Sequence, residues 1–331
     1  MLLQFIVPYY GSAELLISCL STIFKQNDSN DIGIILINDN GKEKRLQGET
    51  EKIKQFLDMI KNLSHIPVLY IENKENSGPG ASRNVGLSSA TAQYISFLDS
   101  DDYLNENFVK IFKEELSKGN DFNIFVGSTL AIKEENSYMT IPPEIITWLH
   151  GRVYLLSFLR ENEITFPEIR FNEDSGFNAI AHEVTQSVVF YKGDVPMYYW
   201  MHNNPESLTS LSTKKSYEYA IETYIQSIIF AYGKILKEHD AEELNRFPAQ
   251  ILQVYLFYCE LLYRNETVLE VEKQLHIFFD LIHKTKWYQS KKIKDKIAEY
   301  VIMQNILGPV IPEITFAEFV KKFEKDPLNF R

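Results

Sequence analysis

The stretch Tyr94-Ile95-Ser96-Phe97-Leu98-Asp99-Ser100-Asp101-Asp102 joins a largely apolar run directly to three carboxylates. An apolar run of this length, ended by polar residues, is typical of a buried strand. Carboxylates at the mouth of a buried strand are costly to leave without a positive partner. A divalent cation, which prefers oxygen ligands, is the obvious candidate. The stretch therefore predicts a buried strand that ends at a metal and phosphate site.

The composition is that of a soluble protein large enough to be an enzyme. The chain has 331 residues, 45% hydrophobic and 24% charged, so it can bury one large core or two smaller ones. The net charge of -11 argues against broad nucleic-acid binding, because a protein that reads a duplex needs a basic surface. Cys19 and Cys259 lie far apart in apolar helical patterns, which favours buried thiols over a disulfide or a zinc site.

No segment of the sequence has the pattern of a targeting signal. Residues 1–7 are too short for a secretory apolar region, lack a basic lead-in and are better interpreted as a first strand. No window approaches the roughly 20 apolar residues that span a bilayer. We therefore expect a cytoplasmic protein, peripheral at most to the inner face of the membrane.

The first 130 residues alternate between short apolar runs and segments with helical spacing. The runs are residues 2–7, 33–37, 68–71, 94–98 and 122–126. Repeated strand-helix-strand units predict an α/β fold with a mostly parallel sheet and helices on both faces. Such sheets bind ligands at the carboxyl ends of their strands. The polar residues that follow the runs are therefore expected to gather at one edge of the sheet.

A glycine-rich segment, Asn76-Ser77-Gly78-Pro79-Gly80-Ala81-Ser82-Arg83-Asn84, opens a further helix. Glycine lets the backbone approach a ligand closely, proline suits a helix start, and a helix N-terminus favours an anion. The alternative is a capped turn without a ligand. Arg83 favours the ligand site because it falls near the same predicted edge as the aspartates.

Seven motifs in order along residues 3–212 make the chain similar to the family 2 glycosyltransferases with the GT-A fold. The motifs lie within residues 5–10, 35–41, 76–86, 97–102, 148–168, 171–174 and 198–209. The most characteristic is Phe97-Leu98-Asp99-Ser100-Asp101-Asp102, while Phe171-Asn172-Glu173-Asp174 resembles the acidic pair that supplies a catalytic base. Gly11 and Asn38 depart from the residues that are common in the family, so contacts to the donor base depend more on Asp39.

The resemblance implies two domains. A GT-A domain would span residues 1–212, with a nucleotide-sugar half at 1–104 and an acceptor half at 105–212. Beyond it, apolar residues rich in Tyr and Phe recur at helical spacing, so residues 213–331 are expected to form a helical accessory domain. That domain has the composition to form a homo-oligomer or to hold an extended acceptor.

The resemblance also implies a reaction. An inverting, metal-dependent enzyme would move a sugar from a nucleotide-sugar, with a UDP-sugar favoured, to a hydroxyl of a glycan, glycoprotein or cell-surface polymer. Mn2+ or Mg2+ held by Asp101 would bridge the donor phosphates. Asp174 would act as general base, with Glu173 orienting it or touching the acceptor, while Asp102 supports the loop.

The other implied site residues fall into two groups. Those expected at the donor nucleotide are Pro8, Tyr9, Tyr10, Asp39, Asn76, Gly78, Arg83, Asp99, Ser100 and Asp101. Trp148, His150 and Arg152 lie in the acceptor-side segment, where hydroxyl or anion contacts compete with structural roles. His202 either belongs to an aromatic cluster or adds a ligand to the metal.

Several assignments have structural alternatives. Asp39 could cap a turn, since Asn-Asp-Asn-Gly is a strong turn string. Asp174 could pair with Arg170 as an exposed ion pair of little energetic value. The lysines of the basic stretch 284–296 either form a solvated helix face or contact an anionic lipid carrier, a membrane surface or a phosphate-rich polymer.

Two other functions also compete with the transferase. In one, the chain is a non-catalytic binding protein that acts through its helical domain. In the other, Asp99-Ser100-Asp101 is the nucleophile loop of a haloacid-dehalogenase-type phosphatase, although Tyr103 stands where that pattern requires Thr or Val.

Overall fold

The computed structural model describes residues 1–119, 121–134, 137–185, 187–201, 217–307 and 314–324. The chain divides into two compact units, Met1–Ser207 and Leu208–Arg331. The predicted domain boundary at 212/213 lies outside the described residues, as does His202.

The first unit is built around eleven strands in its described residues. They are β1 (Leu3–Tyr9), β2 (Ile32–Asn38), β3 (Val68–Glu72), β4 (Tyr94–Phe97), β5 (Tyr103–Leu104), β6 (Ile124–Val126), β7 (Thr129–Glu134), β8 (Ser137–Ile141), β9 (Arg152–Leu155), β10 (Val188–Phe190) and β11 (Tyr198–Met201). Seven form one sheet in the order β10-β6-β9-β4-β1-β2-β3. A second sheet has the order β5-β11-β7-β8.

The large sheet is mostly parallel, as the alternating pattern predicts. β1 pairs in parallel with both β2 and β4, and β2 with β3. Every residue of β2 is buried and β1 is nearly so, which explains their continuous apolar runs. β9 differs, because it inserts antiparallel between β4 and β6. The sheet is therefore mixed, with one strand of opposite direction.

Helices cover the sheet. In the first unit they are α1 (Ala13–Phe24), the short 3-10 helix η1 (Lys44–Leu46), α2 (Gln47–Ile60), α3 (Pro79–Ser89), α4 (Phe108–Ser117), α5 (Leu156–Glu161) and α6 (Glu173–Val184). Two glycines let α3 pack closely against its neighbours. A Cβ on Gly86 would lie 2.4 Å from Ile6 Cγ2, and one on Gly80 would lie 2.5 Å from the Pro167 carbonyl oxygen. This close packing brings α3 within reach of β1 and of the segment before α6.

The second unit is helical, as its apolar spacing predicts. Its described helices are α7 (Tyr217–Ile235), α8 (Phe247–Tyr263), α9 (Leu269–His283), the 3-10 helix η2 (Trp287–Gln289), α10 (Lys291–Leu307) and α11 (Phe316–Phe323). Phe319 is fully buried among aromatic rings of α8, α9 and α11, with the Phe279 ring 5.5 Å away and the Phe323 ring 5.1 Å away. None of the helices in the described part of the chain is long and apolar enough to cross a membrane.

Candidate donor and catalytic site

The ends of β1, β2 and β3 are joined at one edge of the sheet. The Asp39 amide donates to the Tyr9 carbonyl over 2.8 Å, and the Asn73 amide donates to the Asn38 carbonyl over 2.9 Å. The Asn40 side chain accepts from the Gly11 amide over 2.8 Å. The polar residues that follow these strands therefore meet, as the parallel topology predicts.

Asp39 organises the loop that leads into α3. Its Oδ1 accepts from Asn73 Nδ2 over 2.7 Å and from the Ser77 amide over 2.9 Å. Its Oδ2 accepts from the Gly78 amide over 2.8 Å. Gly78 has a φ of 86°, a left-handed conformation that glycine adopts without strain. These contacts correspond to the capping alternative for Asp39, and its contact with a base stays a prediction.

The two tyrosines after Pro8 differ in exposure. Tyr9 is buried, and its hydroxyl donates to the Gly11 carbonyl over 2.6 Å. Tyr10 is 44% exposed, and its hydroxyl contacts Glu43 and Arg45. Of the pair, Tyr10 is thus the one that presents its ring at the surface of this edge.

Asp102 is a buried support of the turn that follows β4. Its Oδ2 accepts from the Tyr198 hydroxyl over 2.6 Å, and its Oδ1 accepts from the Met201 amide over 2.8 Å. Burial raises the pKa of Asp102 well above its usual value, and the charges of Asp101 and Asp99 add to this effect. The contacts attach β11 to the acidic turn.

Asp99 is half-buried and is held in its charged form. Arg83 Nη2 lies 2.6 Å from Asp99 Oδ1. Burial acts against the carboxylate, but the charge of Arg83 and, to a smaller extent, that of His150 outweigh it and lower the pKa of Asp99. The first carboxylate of the acidic turn therefore has its positive partner in Arg83.

Asp99, Asp102 and His150 form a group that fits a divalent cation. One ligand atom from each lies within 4.8 Å of the others, and His150 Nε2 is 4.0 Å from both Asp99 Oδ2 and Asp102 Oδ2. Two carboxylate oxygens and an imidazole nitrogen are a suitable partial ligand set for such an ion. Asp101, the predicted ligand, is half-buried in the same turn but does not belong to this group. His150, predicted for the acceptor, does.

His150 is also part of an aromatic cluster. Its ring stacks on Tyr198 at 4.9 Å and on Trp148 at 6.1 Å, and it meets Trp200 at 5.1 Å. Burial lowers the pKa of His150 to about 4, even though the charge of Asp99 acts in the opposite direction. The imidazole is thus neutral at pH 7, the form that ligates metals.

Arg152 is buried beneath this cluster. Its Nη2 donates to the Ile145 carbonyl over 2.7 Å and to the Pro143 carbonyl over 3.4 Å, and its Nη1 donates to the His150 carbonyl over 3.4 Å. The guanidinium therefore holds the segment that carries Trp148 and His150. These contacts favour the structural alternative for Arg152 over an acceptor contact.

Arg83 connects the acidic turn to α6. It is 5% exposed, with Nη1 2.5 Å from Glu173 Oε1 and Nη2 2.6 Å from Asp99 Oδ1. The partners are 16 and 90 residues away in the sequence. The charge of Arg83 is thus paired with two carboxylates, and its contact with the donor nucleotide stays a prediction.

Asp174 lies in the first turn of α6, next to Glu173. Its Oδ1 accepts from the Ser175 amide over 2.9 Å. Burial raises the pKa of Asp174 well above its usual value, and the neighbouring charge of Glu173 adds to the rise while Arg83 opposes it. A carboxylate with a raised pKa is a stronger proton acceptor, which suits a general base.

Arg170, considered in the sequence only as an ion-pair partner of Asp174, contacts Asn76 instead. Its Nη1 lies 3.0 Å from Asn76 Oδ1, and its Nη2 lies 3.4 Å from the Asn76 carbonyl oxygen. The sequence alone does not predict this contact. No local pattern marks it, because the contact joins residues 94 positions apart.

Comparison with known proteins identifies the family. The model of glycosyl transferase family 2 matches residues 4–177, which is more than half of the chain. The chain therefore belongs to glycosyl transferase family 2. Family membership confirms the predicted family and supports the predicted enzyme class, a transferase. It also argues against the phosphatase alternative.

Three relatives show how far the similarity extends. A poly(ribitol-phosphate) beta-glucosyltransferase of Bacillus spizizenii is 27% identical over 77% of this chain and 40% of its own length. The uncharacterised glycosyltransferase EpsJ of Bacillus subtilis is 27% identical over 70% of each chain. The poly(ribitol-phosphate) beta-N-acetylglucosaminyltransferase TarS of Staphylococcus aureus is 24% identical over 62% of this chain and 36% of its length. The chain thus spans well under half the length of the first and third relatives.

A solved structure confirms the GT-A fold. The crystal structure of S. aureus TarS 1-349 in complex with UDP-GlcNAc has a TM-score of 0.65 to this chain at 20% identity. The similarity covers 90% of this chain and 84% of that one. At this identity the similarity shows the fold alone.

Proposed function

We propose that this chain is an inverting, metal-dependent glycosyltransferase that moves a sugar from a UDP-sugar to a hydroxyl of a phosphate-rich cell-surface polymer. The observation that carries the proposal is the Arg83 bridge. It joins Asp99, a member of the cation-binding group, to Glu173, the neighbour of Asp174. A donor-binding carboxylate and a candidate base are thereby held in one network.

Asp99, Asp102 and His150 would hold the cation, with Asp101 a further ligand at the same turn. When bound, the cation supplies positive charge that stabilises the nucleoside diphosphate as it leaves. His150 contributes a neutral nitrogen, since burial lowers its pKa to about 4. Tyr198 orients the Asp102 carboxylate by donating to its Oδ2.

Asp174 would take the proton of the acceptor hydroxyl. Its Oδ1 is engaged by the Ser175 amide, so the proton would go to Oδ2. The hydroxyl oxygen forms a bond to the anomeric carbon while the bond from that carbon to the diphosphate oxygen breaks. Because this single displacement proceeds from the face opposite the leaving group, it inverts the anomeric configuration. Glu173, held by Arg83, keeps the first turn of α6 in place.

The donor and acceptor classes are inferred from relatives. Two of the relatives are named for transfer to poly(ribitol-phosphate), and the TarS structure contains UDP-GlcNAc. Tyr10, Asn76 and Gly78 line the same edge as Asp39 and would contact the nucleotide. Trp148 presents an aromatic face beside Trp200, 5.2 Å away, and would contact the acceptor.

Isothermal calorimetry followed by a transfer assay tests the proposal. UDP should bind the wild-type chain only when Mn2+ or Mg2+ is present, and Asp174→Asn should keep that binding but lose transfer to poly(ribitol-phosphate). Asp121→Asn, the same substitution at an exposed position, is the matched control and should retain both. Metal-independent UDP binding, or full transfer by Asp174→Asn, would contradict the assignment.

A further inference from the structure

Arg83 and Arg170 both lie at the predicted donor edge, and they differ in the charge that they can offer. Arg83 is buried between Asp99 and Glu173, at 2.6 and 2.5 Å. A guanidinium with two carboxylate partners has no net positive charge left for a further anion. Releasing either partner would leave a half-buried carboxylate, Asp99, or a buried one, Glu173, without compensation, which is unfavourable.

Arg170 has different partners. It is exposed, and in the described part of the chain its hydrogen bonds are to the amide oxygen and the backbone carbonyl of Asn76, which are both neutral. Among the described residues, no carboxylate forms an ion pair with it. No described carboxylate therefore compensates the charge of Arg170 where it meets the loop that opens α3.

Arg170 lies close to residues that the sequence predicts at the donor nucleotide. Its Cγ lies 3.7 Å from the place that a Cβ on Gly78 would occupy. Its charge also reaches Tyr10, where it opposes the rise in pKa that burial causes. Arg170 thus extends from the segment before α6 across to residues of the nucleotide half.

The proposed reaction calls for positive charge around the diphosphate of the donor. A nucleoside diphosphate carries several negative charges, and its departure concentrates charge on the phosphate oxygens. A planar guanidinium matches phosphate geometry with paired N–H donors, and Asn76 accepts from only part of its five N–H groups.

We propose that Arg170 binds the diphosphate of the donor nucleotide, with Asn76 orienting the guanidinium. This inference rests on the proposed function. It adds Arg170 to the residues that the sequence predicts at the donor nucleotide, and it makes Arg170 a determinant of donor affinity.

Calorimetry on the full chain with UDP and with uridine, in the presence of Mn2+, separates the phosphate contact from the base contact. Arg170→Gln should weaken UDP binding by about 10- to 100-fold, since a charged hydrogen-bond pair is lost. Uridine affinity should stay within about twofold, because uridine has no phosphate. Arg170→Lys should recover part of the UDP affinity, since it keeps the charge but not the paired geometry.

The matched control is Lys74→Gln, which removes an exposed positive charge from the loop between β3 and α3 that Arg170 contacts, and it should change UDP affinity by less than about twofold. Thermal unfolding of each variant checks that the fold is intact. If Arg170→Gln binds UDP as tightly as wild type, or loses uridine and UDP affinity equally, the inference is wrong. If wild-type protein binds neither UDP nor GDP nor dTDP, the proposed function fails together with it.

Discussion

The two units differ in what their interiors contain. Among the described residues, the first unit buries five side chains of ionisable acid or guanidinium type, Asp39, Arg83, Asp102, Arg152 and Glu173. The described part of the second unit buries one, Glu324, which accepts from Trp287 Nε1 and contacts His283. Its core is otherwise dominated by aromatic and aliphatic packing.

The number of buried charged side chains indicates different roles for the two units. Buried charge contributes little net stability, because desolvation offsets most of the attraction. Buried apolar surface contributes roughly 25 cal/mol per Å2 without any such penalty. The first unit therefore carries an arrangement that stability does not require, which is what a preorganised active site needs. The second unit has the composition of a structural or docking element.

The largest expected effect is on catalysis in the first unit. Asp174→Asn should reduce the transfer rate by about 100- to 10,000-fold, the usual contribution of a positioned base. UDP affinity measured by calorimetry should not change, since the substitution keeps the shape of the side chain. A comparable loss of UDP affinity would show instead that Asp174 belongs to the donor site.

The same carboxylate predicts how the rate depends on pH. Burial and the Glu173 charge raise the pKa of Asp174, and a base works only when it is deprotonated. The rate should therefore rise with pH through a midpoint above 3.8, the ordinary value for Asp. A profile of kcat against pH measures it. In Glu173→Gln the midpoint should move lower, because a neighbouring negative charge is removed; a midpoint that does not move would contradict the electrostatic assignment.

Breaking the Arg83 bridge should cost stability as well as activity. Arg83→Met leaves Asp99 and the buried Glu173 without their partner, which should lower the free energy of unfolding by roughly 3 to 5 kcal/mol. Urea unfolding followed by circular dichroism measures the change. Lys118→Gln, which breaks an exposed pair with Glu115, is the control and should leave the unfolding midpoint unchanged.

A core substitution in the second unit should affect stability without affecting donor binding. Phe319→Leu, within the aromatic cluster of α8, α9 and α11, should lower the free energy of unfolding by about 1 kcal/mol. Calorimetry should show unchanged affinity for UDP. A loss of UDP affinity in this variant would mean that the second unit takes part in the donor site.

The smallest expected effect concerns the basic stretch 284–296. Lys284 and Lys286 line a cavity of about 750 Å3 in the second unit together with Trp287. Lys286→Gln should leave UDP binding unchanged and weaken binding to poly(ribitol-phosphate) only a few-fold at low salt, since one exposed charge is screened at physiological ionic strength. Sedimentation of the chain with vesicles of anionic lipid tests the membrane alternative.

Some elements follow directly from local sequence. β1, β2 and β4 are buried strands of a parallel sheet, so their apolar runs are continuous and identify them. The hairpin of β7 and β8 is different, because most of β8 is exposed and its residues carry no apolar run. The antiparallel direction of β9 cannot be predicted from the residues of β9 either, because it is defined relative to the neighbouring strands β4 and β6.

Residue types and their order along the chain determine the family, the parallel sheet and the presence of carboxylates at its edge. Strand ends are local features, and parallel topology brings them together in a regular way. The tertiary structure decides which charges neutralise each other. Arg83 pairs with Asp99 and Glu173, while the hydrogen bonds of Arg170 among the described residues go to Asn76, and these partners are 16 to 94 residues apart. Coulomb energies depend on distances in space and on burial, so only the folded chain shows which arginine is paired with carboxylates.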